Sequence, residues 1–256
     1  MNKEPFNIAR CLKRIFESFT PYKIYKTLPR GTDFHWDLEK HLEQTEIVRV
    51  FDVGANIGQS ARKFSSMFPM AEINSFEPVK STYTQLLSNT KHLPQVKCFN
   101  LAFGAERGVG EMVLGEESAN NALRNPHSIS PANSKAVEKV QIETLDEFCE
   151  AQQVERISYL KIDTEGADLN VLRGAPKLLE KGLINIIQVE AGMNRRNTTH
   201  VHAQEFMTFL EERSYFLFGV YDQVREWPTK EPHLRRANLV FISRQIINDN
   251  SATLPR

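Results

Sequence analysis

The segment that most constrains the fold is residues 47–58, which reads Ile-Val-Arg-Val-Phe-Asp-Val-Gly-Ala-Asn-Ile-Gly. Its first half alternates apolar residues and is rich in β-branched side chains, which predicts a buried strand. Gly54, Asn56 and Gly58 then predict a turn into a helix that ends before Pro69. A strand, a glycine-rich turn and a helix N-terminus together are typical of a nucleotide-type site, because glycines let a ligand approach the backbone and free N–H groups face it.

Two features distinguish this turn from a phosphate-binding loop. It lacks the Lys-Ser/Thr pair of a P-loop, and Asn56 stands where the dinucleotide fingerprint has its second glycine. The carboxylate of Asp52 would repel a pyrophosphate but suits a cationic amine, such as the aminocarboxypropyl end of S-adenosylmethionine (SAM). The alternative is an ordinary turn between strand and helix, with glycines present only for packing.

Two further strand ends supply candidate contacts to a nucleoside. Residues 71–76 predict a second strand, and Glu77 follows it, 19 residues beyond Gly58. A carboxylate at that place can bind both ribose hydroxyls, although a solvated glutamate is the alternative. Residues 96–101 predict a third strand, where Asn100 either hydrogen-bonds an adenine edge or caps a turn.

Three carboxylates are predicted at the ligand-binding edge of the same sheet. Residues 157–162 and 184–189 predict buried strands, followed by Asp163 and Glu165 and by Glu190, respectively. Such a cluster raises one pKa and creates a base, or it holds a divalent cation such as Mg²⁺. Glu165 can equally cap the next helix. Two histidines of the following polar segment are alternative bases: His200 and His202.

The rest of the chain predicts additions around one domain. Residues 1–44 form a helical extension whose first helix is basic and amphipathic, so that it either packs on the domain or a second subunit, or makes weak contact with a membrane surface. Residues 45–245 form the main domain, with an insertion at 104–142 that we expect to cover the substrate. Residues 246–256 are expected to fray.

Composition limits the class of protein. The 256 residues include 32 Lys+Arg and 32 Asp+Glu, so that no overall field attracts nucleic acid. The three cysteines are widely separated, which disfavours a disulfide framework or a zinc site. The sequence shows no transmembrane run or signal-peptide core, and we expect a cytoplasmic location. The oligomeric state stays open.

The motifs resemble those of the FkbM family of SAM-dependent methyltransferases over roughly residues 45–245. The resemblance implies a class I methyltransferase fold, an α/β Rossmann-like, seven-stranded, mostly parallel sheet with helices on both faces and one antiparallel strand. It also implies O-methylation of a sugar, polysaccharide or natural-product hydroxyl, with a small-molecule or glycan acceptor. The segments that carry it are 51–58, 76–78, 144–146, 160–166, 171–175 and 188–190.

Carried over by position, the resemblance assigns one group of residues to each part of SAM. Asp52, Gly54, Asn56 and Gly58 would line its methionine end, Glu77 would hold the ribose and Asn100 would lie near the adenine. The full set of expected cofactor contacts is Asp52, Gly54, Asn56, Gly58, Glu77, Pro78, Asn100, Leu101 and Asp163. The expected catalytic residues are Asp163, Glu165 and Glu190.

Two other functions fit parts of the pattern. A nicotinamide-dependent (NAD) oxidoreductase also combines a glycine turn with a carboxylate after the second strand, but Asn56, Asp52 and the paired carboxylates Asp163 and Glu190 disfavour it. A non-catalytic nucleotide-binding or partner-binding module is the other alternative. Its carboxylates would tolerate replacement without loss of any activity.

Overall fold

A computed structural model describes residues 8–115, 122–123 and 136–251. Its strands are β1 (Arg49–Val53), β2 (Glu72–Phe76), β3 (Val96–Phe99), β4 (Ala102–Phe103), β5 (Gly108–Val113), β6 (Ala122–Leu123), β7 (Val137–Glu143), β8 (Ile157–Ile162), β9 (Ile184–Gly192), β10 (Tyr215–Arg225) and β11 (Leu234–Ser243). Its helices are α1 (Ile8–Phe19), α2 (Phe34–His41), α3 (Gln59–Met67), α4 (Lys80–Thr90), α5 (Leu145–Ala151), α6 (Asp168–Arg173), α7 (Pro176–Glu180), α8 (Ala203–Glu211) and α9 (Arg244–Ser251).

Seven strands form the central sheet in the order β10-β11-β9-β8-β1-β2-β3. Strands β3, β2, β1, β8 and β9 pair in parallel, whereas β11 runs antiparallel to both of its neighbours, β9 and β10. The order changes direction at β1, because β2 lies on one side of it and β8 on the other. The structure therefore confirms the predicted seven-stranded, mostly parallel sheet with one antiparallel strand.

Each face of the sheet has its own hydrophobic core. Neighbouring residues of β1 point to opposite faces, so that Phe51 packs in the core under α5–α8 and Val50 in the core under α2, α3 and α9. Strand β8 is buried along its whole length, as a central parallel strand covered on both faces must be. Helices cover both faces, as predicted. Because β3, β2, β1, β8 and β9 run parallel, the loops that follow their carboxyl ends lie along one edge of the sheet.

The predicted insertion, 104–142, contributes most of a second, smaller sheet in the order β4-β7-β5-β6, whose strand β4 (Ala102–Phe103) lies just before it. Its buried residues Ala102, Met112 and Val140 pack on Val79, just beyond the end of β2. The described part of the insertion therefore lies beside the Glu77 end of the edge. Ser118, Asn120, Asn121 and Pro126 belong to the polar loop of the insertion that we expect to cover the substrate, and they lie outside the described residues.

Three boundaries differ from the sequence-based expectation. Strand β3 ends at Phe99, because the chain leaves the central sheet there to begin β4. Glu190 lies inside β9 instead of after it, since pairing with β11 extends the strand. The expected frayed tail begins as α9, whose Asn250 accepts a hydrogen bond from the Gln44 N–H (3.0 Å) and donates to Thr45 Oγ1 (3.0 Å).

The N-terminal helices differ in their relation to the domain. Helix α2 packs into the core through Leu38, and its buried Asp37 accepts a hydrogen bond from the Tyr221 hydroxyl (2.9 Å). Helix α1 instead exposes the apolar side chains that the structure describes for it, Leu12, Ile15, Phe16 and Phe19. No helix among the described residues is both long and apolar enough to span a bilayer.

Candidate active site

The turn after β1 is fitted against the end of β8. Gly54 has φ +79°, and a Cβ atom there would lie 1.9 Å from the carbonyl oxygen of Asp163. The backbone N–H of Asp163 in turn donates to the carbonyl of Val53 (3.0 Å). The glycine is therefore required by the approach of two strand ends, with α3 beginning immediately beyond Gly58. Any ligand held by this turn also lies beside Asp163.

A buried lysine joins the two carboxylates at this point. Lys161 is directly opposite Asp52 on the neighbouring strand, and its Nζ lies 3.3 Å from Asp52 Oδ1 and 3.2 Å from Asp163 Oδ2. The Ser60 hydroxyl donates to the other oxygen of Asp52 (2.5 Å). Burial opposes the charge of Lys161, but Asp163 and Asp52 raise its pKa overall. Asp52 is 0% exposed, whereas the Asp163 side chain is 36% exposed and within reach of a ligand.

The carboxylate of Glu77 is anchored by two backbone amides. The N–H groups of Val79 and Asn56 donate to its Oε1 (2.9 Å) and Oε2 (3.1 Å), so that this side chain joins the ends of β1 and β2. Burial raises the pKa of Glu77 to about 7, although these amides lower it. Each oxygen retains a lone pair for a further donor, which is what two ribose hydroxyls require.

Asn100 holds the turn that follows Glu77. Its Nδ2 donates to the carbonyls of Glu77 (2.9 Å) and Pro78 (2.7 Å). Asn100 therefore caps a turn, which is one of the two roles that the sequence allowed. Its amide oxygen takes no part in these two hydrogen bonds and can still contact an adenine edge. Leu101, the next residue, packs partly buried against the main core.

The loop after β8 presents Glu165 in an unusual conformation. Glu165 has φ 51°, in the left-handed region. Gly166 follows at φ 100°, and a Cβ atom on Gly166 would lie 2.4 Å from the carbonyl oxygen of Thr199. A non-glycine residue in this region is often found at a functional site. The N–H groups of Thr164 and Gly166 donate to Asp168, at 3.3 and 3.1 Å. Asp168, not Glu165, therefore supports the start of α6.

His200 lies between two of the predicted catalytic carboxylates. Its Nε2 is 2.6 Å from Glu190 Oε2 and 3.8 Å from Glu165 Oε2. On the other side of the ring, Asn197 lies within hydrogen-bond distance of Nδ1, with its Nδ2 at 3.0 Å. The Asn197 Nδ2 also donates to the Arg235 carbonyl and its Oδ1 accepts two backbone N–H groups, which fixes the amide orientation.

The two ring nitrogens of His200 have different partners. Nε2 lies 2.6 Å from a carboxylate oxygen of Glu190 and is the nitrogen that donates to it, whereas Nδ1 lies 3.0 Å from Asn197 Nδ2 and 3.1 Å from Asn197 Oδ1. Arg236 pairs with the other carboxylate oxygen of Glu190. Glu190 therefore has a positive or donating partner on each oxygen, whereas Glu165 has only the more distant His200 ring among the ion pairs of the described residues. Burial, followed by the charge of Asp163, raises the pKa of Glu165.

The second histidine has a structural role. The Nδ1 of His202 accepts a hydrogen bond from the N–H of Gln204 (3.2 Å), so that it is the N-cap of α8. Of the two histidines considered as bases, only His200 lies beside the predicted carboxylates.

Glu165, Glu190 and His200 are also the described residues that approach metal-ligand geometry. One ligand atom from each lies within 4.8 Å of the others. The donor set fits Mg²⁺ poorly, because that ion prefers oxygen ligands in an octahedral arrangement. Arg236 and His200 moreover already pair with both oxygens of Glu190.

The sequence reasoning missed several residues of this site. Lys161 carried a local signal, since a lysine inside an otherwise apolar buried strand requires an anionic partner. Asp168 was recognisable as an acidic residue in the first turn of a helix. Neither Arg236 nor Asn197 had a local sequence signal. The role of Arg236 depends on the pairing of β9 with β11, and that of Asn197 depends on the fold of the loop before α8.

The strand order and the arrangement of the edge define a class of protein. A sheet ordered β10-β11-β9-β8-β1-β2-β3, with only β11 reversed, is the Rossmann-like fold of class I methyltransferases. The glycine turn after β1 and the carboxylate of Glu77 after β2 lie at its switch point, where such sheets bind nucleotides.

The chain belongs to the FkbM methyltransferase domain family, whose model matches residues 52–217. Among curated proteins, it is 27% identical over 150 residues to the hexuronic acid methyltransferase AglP of Haloferax volcanii, covering 59% of each chain. It is 25% identical over 158 residues to the 2-O-methyltransferase NoeI of Sinorhizobium fredii, covering 57% of this chain and 65% of that protein. The match thus spans about three fifths of the length of these relatives.

Solved structures resemble the chain only distantly. Fibrillarin of Aeropyrum pernix, with natively bound SAM, gives a TM-score of 0.44 at 16% identity and covers 77% of this chain and 67% of its own. For TrmK of M. capricolum, in complex with S-adenosylhomocysteine, the TM-score is 0.45 at 9% identity, and the match covers 83% of this chain and 69% of the TrmK chain.

Proposed function

We propose that the protein transfers the methyl group of SAM to a hydroxyl group of a sugar or natural product. The observation that carries this proposal is the juxtaposition of two sites at one sheet edge. The glycine turn and Glu77 form a nucleoside-type site, and the Glu165–His200–Glu190 cluster adjoins it through Asp163. Membership of the FkbM family supports the same activity.

SAM is expected to lie across the carboxyl ends of β2, β1 and β8. Glu77 would accept hydrogen bonds from both ribose hydroxyls, with Pro78, Asn100 and Leu101 beside the adenine. Asp163 would face the methionine end, because it is the exposed carboxylate next to Gly54 and Asn56. Asp52 would act through Lys161, since its own carboxylate is completely buried.

Methyl transfer to a hydroxyl requires in-line positioning and removal of one proton. The acceptor oxygen attacks the sulfonium methyl group, the C–S bond breaks, and S-adenosylhomocysteine is released. We assign the proton to Glu165, because its pKa is raised and its side chain is 27% exposed. Glu190 would be a positioning residue that holds His200 beside the base, with His200 Nε2 3.8 Å from Glu165 Oε2. These roles need no metal ion.

The acceptor is best described as an uncharged hydroxyl of a glycan or small molecule. One relative is described as a hexuronic acid methyltransferase, which supports a sugar, and another as a 2-O-methyltransferase, which supports an oxygen acceptor. A third is the methyltransferase sdnD of Sordaria araneosa, 29% identical over 179 residues. The three carboxylates of the edge disfavour a polyanion such as nucleic acid as acceptor.

Replacing Glu77 by Gln tests the cofactor site. Ribose hydroxyls donate best to the ionised carboxylate, so the wild-type affinity for S-adenosylhomocysteine should rise about tenfold from about pH 6 to about pH 8 as Glu77 ionises near its pKa of about 7. The variant should bind about 1–3 kcal/mol more weakly at the higher pH and lose this dependence. Calorimetric titration at several pH values measures both effects.

Glu138→Gln is the matched control, because Glu138 also accepts a backbone N–H at the start of α4, from Lys80 (2.8 Å). It should retain the wild-type affinity at the higher pH and a pH dependence of similar size with a slightly lower midpoint, because the charge of Glu138 makes the smallest of the contributions that raise the pKa of Glu77. Unchanged affinity in a folded Glu77→Gln variant would contradict the ribose assignment. Thermal melting of both variants verifies folding, since the side-chain amide that Glu77→Gln introduces would oppose one of two backbone donors.

A further inference from the structure

Helix α1 has a sharply divided surface. At 100° per residue, Leu12, Ile15, Phe16 and Phe19 fall within one arc of about 100°, and the basic and polar residues occupy the rest. In a helix packed on its own domain this apolar arc would be buried. It is exposed instead, with Phe19 85% exposed and Leu12 61% exposed.

The segment that follows α1 adds further exposed apolar side chains beside the helix. Glu17 accepts a hydrogen bond from the Ile24 N–H (2.9 Å), and the Lys13 ammonium lies 5.7 Å from the centre of the Tyr25 ring. These contacts fold residues 20–25 back along the side of the helix that carries Lys13 and Glu17, next to the apolar arc. We call the resulting exposed set the N-terminal apolar surface: Leu12, Ile15, Phe16, Phe19, Tyr22, Ile24 and Tyr25.

Positive charge is concentrated around this surface. Residues 1–30 contain seven Lys or Arg and two Glu, although the whole chain contains 32 of each sign. The remaining residues therefore contain 25 basic and 30 acidic side chains. Among the described basic residues, Arg14, Lys23 and Lys26 are exposed. An apolar face with exposed aromatic rings and flanking cations is typical of a helix that lies in a membrane interface.

We propose that the N-terminal apolar surface docks on a bilayer that contains anionic phospholipid. Its rings and aliphatic side chains would enter the boundary between headgroups and acyl chains, and its cations would pair with lipid phosphates. A second copy fits less well, because a symmetric dimer through this face would bring two regions of like charge together. The proposal does not depend on the chemistry of the active site.

Co-sedimentation with vesicles tests the proposal. We expect the full chain to bind vesicles of phosphatidylcholine and phosphatidylglycerol at least about tenfold more tightly than vesicles of phosphatidylcholine alone, and more weakly at high salt. Phe19→Glu should reduce binding about tenfold or more, because it places a charge in the apolar face. Met70→Glu is the matched control: Met70 is 92% exposed and lies beyond α3, so this variant should bind as the wild type does.

Three results would overturn the proposal. The first is no binding to either type of vesicle, and the second is wild-type binding by Phe19→Glu. The third is a concentration-dependent dimer that Phe19→Glu dissociates and that shows no preference for anionic vesicles, since this outcome assigns the surface to a second copy. Both substituted side chains are exposed, and equal melting temperatures of the variants and the wild type verify that the fold is intact.

Discussion

Replacing Glu165 by Gln is expected to lower the rate of methyl transfer by about 10²–10⁴-fold, which is the usual contribution of a general base. The substitution keeps the size of the side chain but removes the proton acceptor. Affinity for S-adenosylhomocysteine should stay close to the wild-type value, because Glu165 belongs to the acceptor side of the edge. The measurement is transfer of labelled methyl from SAM to a panel of uronic acids and neutral sugars, together with calorimetric titration.

Two further variants, Glu165→Asp and Glu190→Gln, distinguish the role of a general base from that of a positioning residue. Asp tolerates the left-handed backbone at this position better than most residues and keeps a carboxylate, so Glu165→Asp should retain more activity than Glu165→Gln. Glu190→Gln should disturb the orientation of His200, and a loss that falls on KM more than on kcat would show positioning. Equal losses of turnover and cofactor affinity in Glu165→Gln would make Glu165 a cofactor contact and contradict the assignment.

Replacing Lys161 by Met is expected to destabilise the protein by about 3–5 kcal/mol, the usual effect of removing one partner of a buried ion pair. The reason is that the Asp52 carboxylate is 0% exposed and would lose its ion-pair partner, the ammonium 3.3 Å away. The loss of the ammonium costs less at Asp163, because the Asp163 side chain is partly exposed to solvent. Urea-induced unfolding, followed by circular dichroism, measures the difference.

The double variant Asp52→Asn/Lys161→Met completes this test. Removing both charges eliminates the unpaired carboxylate, so the double variant should be more stable than Lys161→Met alone. If the single variant lost less than about 1 kcal/mol, Lys161 would not compensate a buried charge, and its place at the turn would need another explanation.

The parts of the site that lie close together in sequence were predictable. The turn after β1 and the carboxylate after β2 follow from local patterns: apolar alternation, glycines, and the position of Glu77 beyond the glycine turn. The antiparallel end of the sheet also followed, since two consecutive strands without a helix between them pair antiparallel. β10 and β11 do so.

The connections between distant segments were not predictable in the same way. Where Glu165 points depends on Asp168, whose carboxylate holds the N–H groups of Thr164 and Gly166 in the loop before α6, and on the contact between Gly166 and Thr199. His200 enters the site only because Asn197 ties its loop to β11. A local pattern contains no information about such contacts.

Burial also gives some residues that the sequence identified a different role from the expected one. Asp52 was expected at the ligand, and the structure places it beneath the turn, paired with Lys161 and Ser60. Residues 246–251, which belong to the tail expected to fray, lie in α9, because Ile246 packs in the core and Asn250 bonds to the segment before β1. In both cases the deciding partner is far away in sequence.

Calorimetric titration with S-adenosylhomocysteine tests the central claim, that this edge of the sheet binds the methyl donor. We expect micromolar affinity, on the order of 8 kcal/mol of binding free energy, and no measurable binding of NADH. The Glu77→Gln variant should bind more weakly than Glu138→Gln under the same conditions. Binding of NADH in the absence of binding to S-adenosylhomocysteine would contradict the methyltransferase account and favour an oxidoreductase.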